Sequence, residues 1–280
     1  GDLGNDESVL MRTPTRVEHA DLVLLESTYG DRNHRTEVDT LEELAGILAA
    51  ADREGGNVLV PAFAVGRTQE VLYHLSLLHH AGRLPQRHVF LDSPMAIEVT
   101  RLYDRLRHLL DPDDLASLRA AGGRSLAEAL PQLELTAEVE ASRAINEVRG
   151  SAIVIAGSGM CTGGRIRHHL KHNLWRRETR LVIVGFQARG SLGRLLVDGV
   201  EKVRLFGEQI AVKARVHTLG GFSAHAGQRQ LVAWAGAFRD RPAVYLVHGE
   251  AEAREALAAA LHQQHGIAAQ RPQPGETVTF

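Results

Sequence analysis

The chain has 280 residues, 44% of them hydrophobic and 24% charged, and 32 Lys and Arg against 34 Asp and Glu leave a net charge of −2. That balance excludes disordered, collagen-like and low-complexity architectures and removes any whole-molecule attraction for a polyanion. A single cysteine, Cys161, excludes a disulfide framework and cysteine-rich zinc fingers, so His and carboxylates remain as metal ligands; without a membrane-length apolar run or a signal peptide, the expected setting is cytoplasmic.

The first apolar run, Asp21 to Glu26, reads as a buried strand that delivers a carboxylate to the loop Ser27-Thr28-Tyr29-Gly30. Helical spacing from Glu37 to Arg53 stops at Gly55-Gly56, before a strand from Asn57 to Pro61. Helix (Arg67 to His79), strand (Val89 to Asp92), helix (Met95 to His108), strand (Leu133 to Thr136), helix (Ala137 to Arg149) and strand (Ala152 to Ala156) follow. Asp111 to Pro131 interrupts them as an irregular or short-helical excursion. Such alternation predicts an α/β fold, with a mostly parallel, Rossmann-like sheet and helices on both faces. A helix from Arg165 to Trp175 and a strand from Leu181 to Gly185 continue it; Val203–Phe206 and Ile210–Thr218 then read as turn-linked strands where a different domain resumes. Helix (Gln228 to Phe238), strand (Ala243 to Val247), helix (Ala253 to Gln264) and a short strand near Val278 close the chain.

Chemistry in parallel sheets sits where strands end in loops of small residues. Four loops have that form: Glu26 to Gly30, Gly157 to Arg165, Gly221 to Gly227 (which holds Ser223 and His225), and Leu246 to Glu250 (which holds His248). The Gly157–Arg165 loop suits a phosphate cradle, but Thr162 breaks the G-x-G-x-x-G spacing, and a tight turn explains it equally well. The helix after it carries Arg165, Arg167, Lys171, Arg176 and Arg177, which reads either as a solvated face or as an anion surface. His225, His248, Glu26 and Asp2 would make a hydrolytic site if they converged, a condition that spacing alone leaves open.

These loops, in this order, together with Pro61-Ala62-Phe63-Ala64-Val65-Gly66-Arg67 and Asp92-Ser93-Pro94, resemble the β-CASP group of metallo-β-lactamase-fold nucleases, from Gly1 to about Glu250. The resemblance implies a Rossmann-like β-CASP cassette at residues 32–211, inserted into a partial metallo-β-lactamase αββα sandwich formed by residues 1–31 and 212–280. It implies a zinc-dependent nuclease that hydrolyses RNA phosphodiester bonds at a two-zinc site. Asp2 and His248 would be metal ligands, Glu26 and His225 a catalytic carboxylate–imidazole pair, and Ser223 a phosphate contact. Ser158, Gly159, Arg67 and Arg165 would line the RNA path. With no extension after Phe280, an endoribonuclease is expected over a 5′-3′ exonuclease; a homodimer stays open.

The family's site takes further ligands from a His-x-His-x-Asp-His loop, and no His-x-His occurs among the 280 residues. By this reading the chain is the C-terminal part of a longer enzyme, with uncovered apolar strand faces, and is inactive alone. Two alternatives remain at this stage: a catalytically silent RNA-binding or scaffold subunit, and a nucleotide-binding α/β protein.

Overall fold

The computed structural model describes residues 2–6 and 8–278. They form two compact units, one spanning Thr36–Phe222 and the other combining the residues before Thr36 with those from Ser223 onward. No helix among the described residues is long and apolar enough to cross a membrane.

The central unit, hereafter the cassette, is built on β2 (Val58–Pro61), β3 (His88–Leu91), β4 (Leu133–Leu135), β5 (Ala152–Ala156), β6 (Arg180–Ile183) and β9 (Arg215–Thr218). Every neighbouring pair in the order β4-β3-β5-β2-β6-β9 is parallel. Side chains alternate between the faces. Val58, Val60, Ile153 and Ile155 enter one core with α1 (Glu37–Arg53) and α2 (Arg67–His80); Leu59, Val154 and Leu181 enter the other with α6 (Ile166–Asn173) and Leu196. Burial on both faces explains why these strands read as continuous apolar runs.

Local chemistry sets the helix ends. Thr36 accepts the Asp39 N–H through Oγ1 at 3.1 Å to start α1. Ser93 caps α3 (Pro94–Arg105), whose first residue is a proline. The excursion after Asp111 contains a short helix, α4 (Pro112–Ala120), capped by Asp111. The helix expected from Ala137 to Arg149 is shorter, α5 (Val139–Ala144) followed by one 3-10 turn.

Near its C-terminal end the cassette differs from the sequence reading. A six-residue helix, α7 (Leu192–Val197), was not anticipated; it is too short to show a period. The run Ile210–Thr218 divides in two: β7 (Lys202–Leu205) and β8 (Glu208–Ala211) form an antiparallel hairpin, whereas β9 pairs with the β6 edge. The strand texture after Val203 therefore belongs to the cassette, because the open edge of β6 takes Arg215–Thr218 as its last parallel partner. His74, fully buried on α2, stacks on Phe222 with ring centroids 4.3 Å apart, and its Nδ1 lies 3.6 Å from Glu37 Oε1.

In the second unit β1 (Leu22–Glu26) pairs in parallel with β10 (Ala243–Val247). Val23, Leu25, Val244 and Leu246 pack with α8 (Gln228–Ala235) and α9 (Ala251–His265), while Leu24, facing the other way, is 56% exposed. Among the described residues no strand forms near Val278; the last β contact there is a bridge from Gln270 to Tyr245.

Candidate active site

The parallel register of β1 and β10 places Glu26 opposite Val247, so both strands deliver their last residues to one end of the pair. Glu26 follows as a carboxylate and His248 as an imidazole. The segment from Ser223 to Gly227 is stitched across that end: Gly4 and His225 form an antiparallel bridge, Tyr29 and Gly227 a parallel one, and Ala226 N–H donates to Leu3 O at 3.0 Å. Four pieces of chain that are distant in sequence thus share one rim.

Glu26 is 1% exposed and fully engaged. Its oxygens accept from Leu3 N–H at 3.0 Å and Thr28 N–H at 3.4 Å, and they lie 3.0 and 2.9 Å from His225 Nδ1. Burial pushes its pKa up, but hydrogen bonds from His225 and Thr28 and the charge of His225 outweigh it and hold the carboxyl below its ordinary value. An ionised Glu26 fixes the proton of His225 on Nδ1. Ser223, itself buried, accepts the His225 N–H through Oγ at 3.2 Å, so its hydroxyl shapes the turn that presents the imidazole.

His248 holds a left-handed backbone, φ 50°, a conformation that costs a non-glycine residue roughly 1–3 kcal/mol. Thr28 supports it, with Oγ1 donating to His248 O at 3.1 Å and lying 3.2 Å from His248 Nδ1. The next residue must be glycine: a Cβ on Gly249 would sit 2.5 Å from both the carbonyl oxygen and Oγ of Ser27. His248 Nδ1 lies 3.4 Å from Asp2 Oδ1, both side chains being more than half exposed. Gly1, the other half of the expected Gly-Asp loop, lies outside the described residues.

Asp2, His225 and His248 each offer a ligand atom, and these atoms all lie within 4.8 Å of one another. The Asp2 carboxylate and the His248 imidazole are donors that suit zinc, and the Glu26-backed imidazole of His225 lies beside them. The sequence reading gave this group two ligands and kept His225 for proton transfer; the fold puts all three side chains together. Thr28 and Asn5 carry further weight that the sequence did not reveal. Asn5 donates through Nδ2 to Ser223 O at 3.0 Å and through its backbone N–H to Ala224 O at 2.8 Å.

The four residues expected on an RNA path lie in the cassette. Ser158, Gly159 and Arg165 follow β5, and Arg67 follows β2; these adjacent strands send their next helices to opposite sheet faces, the position where open parallel sheets bind ligands. Gly159 packs so closely on Phe63 that a Cβ would fall 2.7 Å from its ring. Ser158 Oγ accepts Gly163 N–H at 3.1 Å. The two arginines turn inward. Arg67 is 6% exposed and pairs with Glu70; Arg165 donates to Asp92 at 2.7 Å and to the carbonyls of Thr136 and Ala137. Buried Asp92 also accepts from Ser142 at 2.6 Å and lies 2.7 Å from His169 Nε2, so it anchors the helix that follows the loop.

The Beta-Casp domain matches residues 68–196, and the Zn-dependent metallo-hydrolase RNA specificity domain matches residues 209–272. The chain belongs to the β-CASP family of the metallo-β-lactamase fold. The first match covers the loop after β5, and the second covers Ser223, His225 and His248. Among similar proteins, Ribonuclease TTHA0252 of Thermus thermophilus is 45% identical over 92% of this chain and 58% of its own length. The Transcription termination factor FttA of Pyrococcus horikoshii is 32% identical over 91% of this chain and 40% of its own length, and that of Thermococcus kodakarensis 30% identical over 92% and 40%. This β-CASP chain therefore spans about half the length of the relatives it matches.

Proposed function

We infer that this chain carries the proton donor and part of the metal site of a zinc-dependent ribonuclease. The observation that carries the reading is the buried Glu26 on His225 Nδ1, with ligand atoms of Asp2 and His248 beside the same imidazole. Asp2 and His248 would hold metal, and zinc bound there supplies Lewis acidity toward a phosphate oxygen and an activated water. In hydrolysis the water oxygen bonds to phosphorus and the P–O3′ bond breaks; His225 gives the proton on Nε2 to the departing O3′ while Glu26 stabilises the imidazolium and holds its plane. Ser158 and Gly159 are assigned to the RNA path. Internal cleavage and a cytoplasmic location belong to the same proposal.

Retention of both Glu26 and His225 speaks against a catalytically silent scaffold. In the full-length protein, His225→Ala is expected to lower the rate of RNA cleavage by about 10²–10⁴-fold without abolishing RNA binding. Unaltered cleavage would remove His225 from the mechanism. Because the His-x-His-x-Asp-His ligands are not among these 280 residues, this chain alone is expected to bind less than one equivalent of zinc and to cleave no RNA; stoichiometric zinc with activity would overturn that part.

A further inference from the structure

The β7–β8 hairpin ends in a two-residue turn, Phe206-Gly207, between Leu205 and its partner Glu208. Both turn residues have positive φ, 49° and 83°, the pattern in which Asn, Asp or Gly is preferred at the first position. Phenylalanine there is a costly choice for the backbone, and the ring does not enter the core: Val203 and Leu205 are the hairpin's buried residues, whereas Phe206 is 45% exposed. The ring rests instead on α6. It stacks on His168 with centroids 4.3 Å apart and a 23° interplanar angle, and the Arg167 guanidinium lies 4.9 Å from its centroid.

A second exposed ring follows the C-terminal end of α6. Trp175 is 51% exposed, with the Arg176 guanidinium 5.0 Å from its ring. Lys171, which pairs with Glu208 at 2.5 Å, lies between His168 and Trp175 in sequence. His168 reports the local field: burial first, and then the positive charges of His169, His172, Arg167 and Lys171, push its pKa down. Half-exposed aromatic rings beside guanidinium groups match single-stranded nucleic acid, where bases stack on rings and cations meet phosphates.

We propose that the α6–hairpin surface, with Phe206 and Trp175 as stacking platforms, binds a single-stranded segment of the RNA substrate outside the catalytic unit. The proposal rests on the reading that RNA is this chain's ligand. It explains why the hairpin tip carries a strained, exposed phenyl ring where turn chemistry favours Asn.

The chain has two tryptophans, so a Trp234→Phe background leaves Trp175 as the reporter. Titration with a short oligouridylate is expected to quench its fluorescence saturably. Phe206→Asn in that background is expected to weaken binding by about tenfold, which follows from the 1–3 kcal/mol of one stacked base, while the thermal midpoint holds or rises because Asn suits the turn. Binding by Phe206→Asn within twofold of its parent overturns the surface and leaves the RNA reading intact; a parent that binds no RNA overturns both. Heparin offers charge without bases. If Phe206→Asn weakens heparin as much as RNA, the ring is not a stacking platform and the proposal fails.

Discussion

The cassette sheet is covered on both faces; on the outer face of the β1–β10 pair Leu24 is 56% exposed beside a buried Tyr245. In the cassette, neighbouring residues of a strand enter two different cores; in the other unit Val23 and Leu25 are buried around an exposed Leu24. Chemistry follows the same division. The covered sheet keeps its strongest charges for itself, on Asp92, Arg165, Glu70 and Arg67, whereas the thinner unit gathers Asp2, Glu26, His225 and His248 at the ends of its two strands. A site needs side chains that the core has not consumed, and the loops at the ends of β1 and β10 supply them.

Asp92→Ala tests the first half of this contrast most severely. It strips a buried partner from Arg165 and His169 and is expected to destabilise the cassette by about 3–5 kcal/mol, read as lost hydrogen-exchange protection in β3 and β5. Protection of β1 and β10 should change far less; an equal loss in both would break the distinction. Large-to-small changes on the strands come next. Leu59→Ala and Ile155→Ala point to opposite cassette faces, and each is expected to cost roughly 2–5 kcal/mol in the denaturant midpoint, as is Leu25→Ala in the other unit.

His74 adds a pH signature. Burial first, and the positive charge of Arg67 second, push its pKa down to about 3 from the usual 6.5. Between those values the unfolded chain binds the proton that the folded cassette refuses, so stability falls as pH drops, by at most about 1.4 kcal/mol per unit, and levels off near pH 3. His74→Gln should flatten that limb in acid-unfolding curves. Smallest of all is Leu24→Ser, expected to shift the midpoint by less than about 0.5 kcal/mol despite the two costly neighbours.

Such alternation also explains what could be read without coordinates. Val58 to Pro61 and Ala152 to Ala156 are apolar throughout because both faces are buried, and Thr36 and Gly55-Gly56 bracket α1 with ordinary end signals. Arg215–Thr218 is half-buried, and nothing local says which edge it joins, so its place beside β6 came only from the fold. The site divides likewise. Glu26, His225 and His248 were legible as ionisable residues beside small ones at strand ends. Thr28 was not, because its importance comes from His248, 220 residues away, and a threonine in a loop has many uses. The Phe206-Gly207 turn escaped notice because phenylalanine is not a turn former.

His74 touches both extremities of the cassette, Glu37 near its start and Phe222 at its end. β1, which ends in Glu26, and β10, which leads to His248, lie on either side of that segment in sequence, and β1 cannot meet β10 until the two departing chains are brought together. Closing so long an unfolded loop is slow and entropically costly. A folded cassette whose two ends both lie beside the buried His74 ring replaces it with a shorter loop. The order of assembly follows: in pulse-labelled refolding, amides of β2 and β5 should gain protection before those of β1 and β10, and the Glu26–His225–His248 cluster should be the last part of the chain to form.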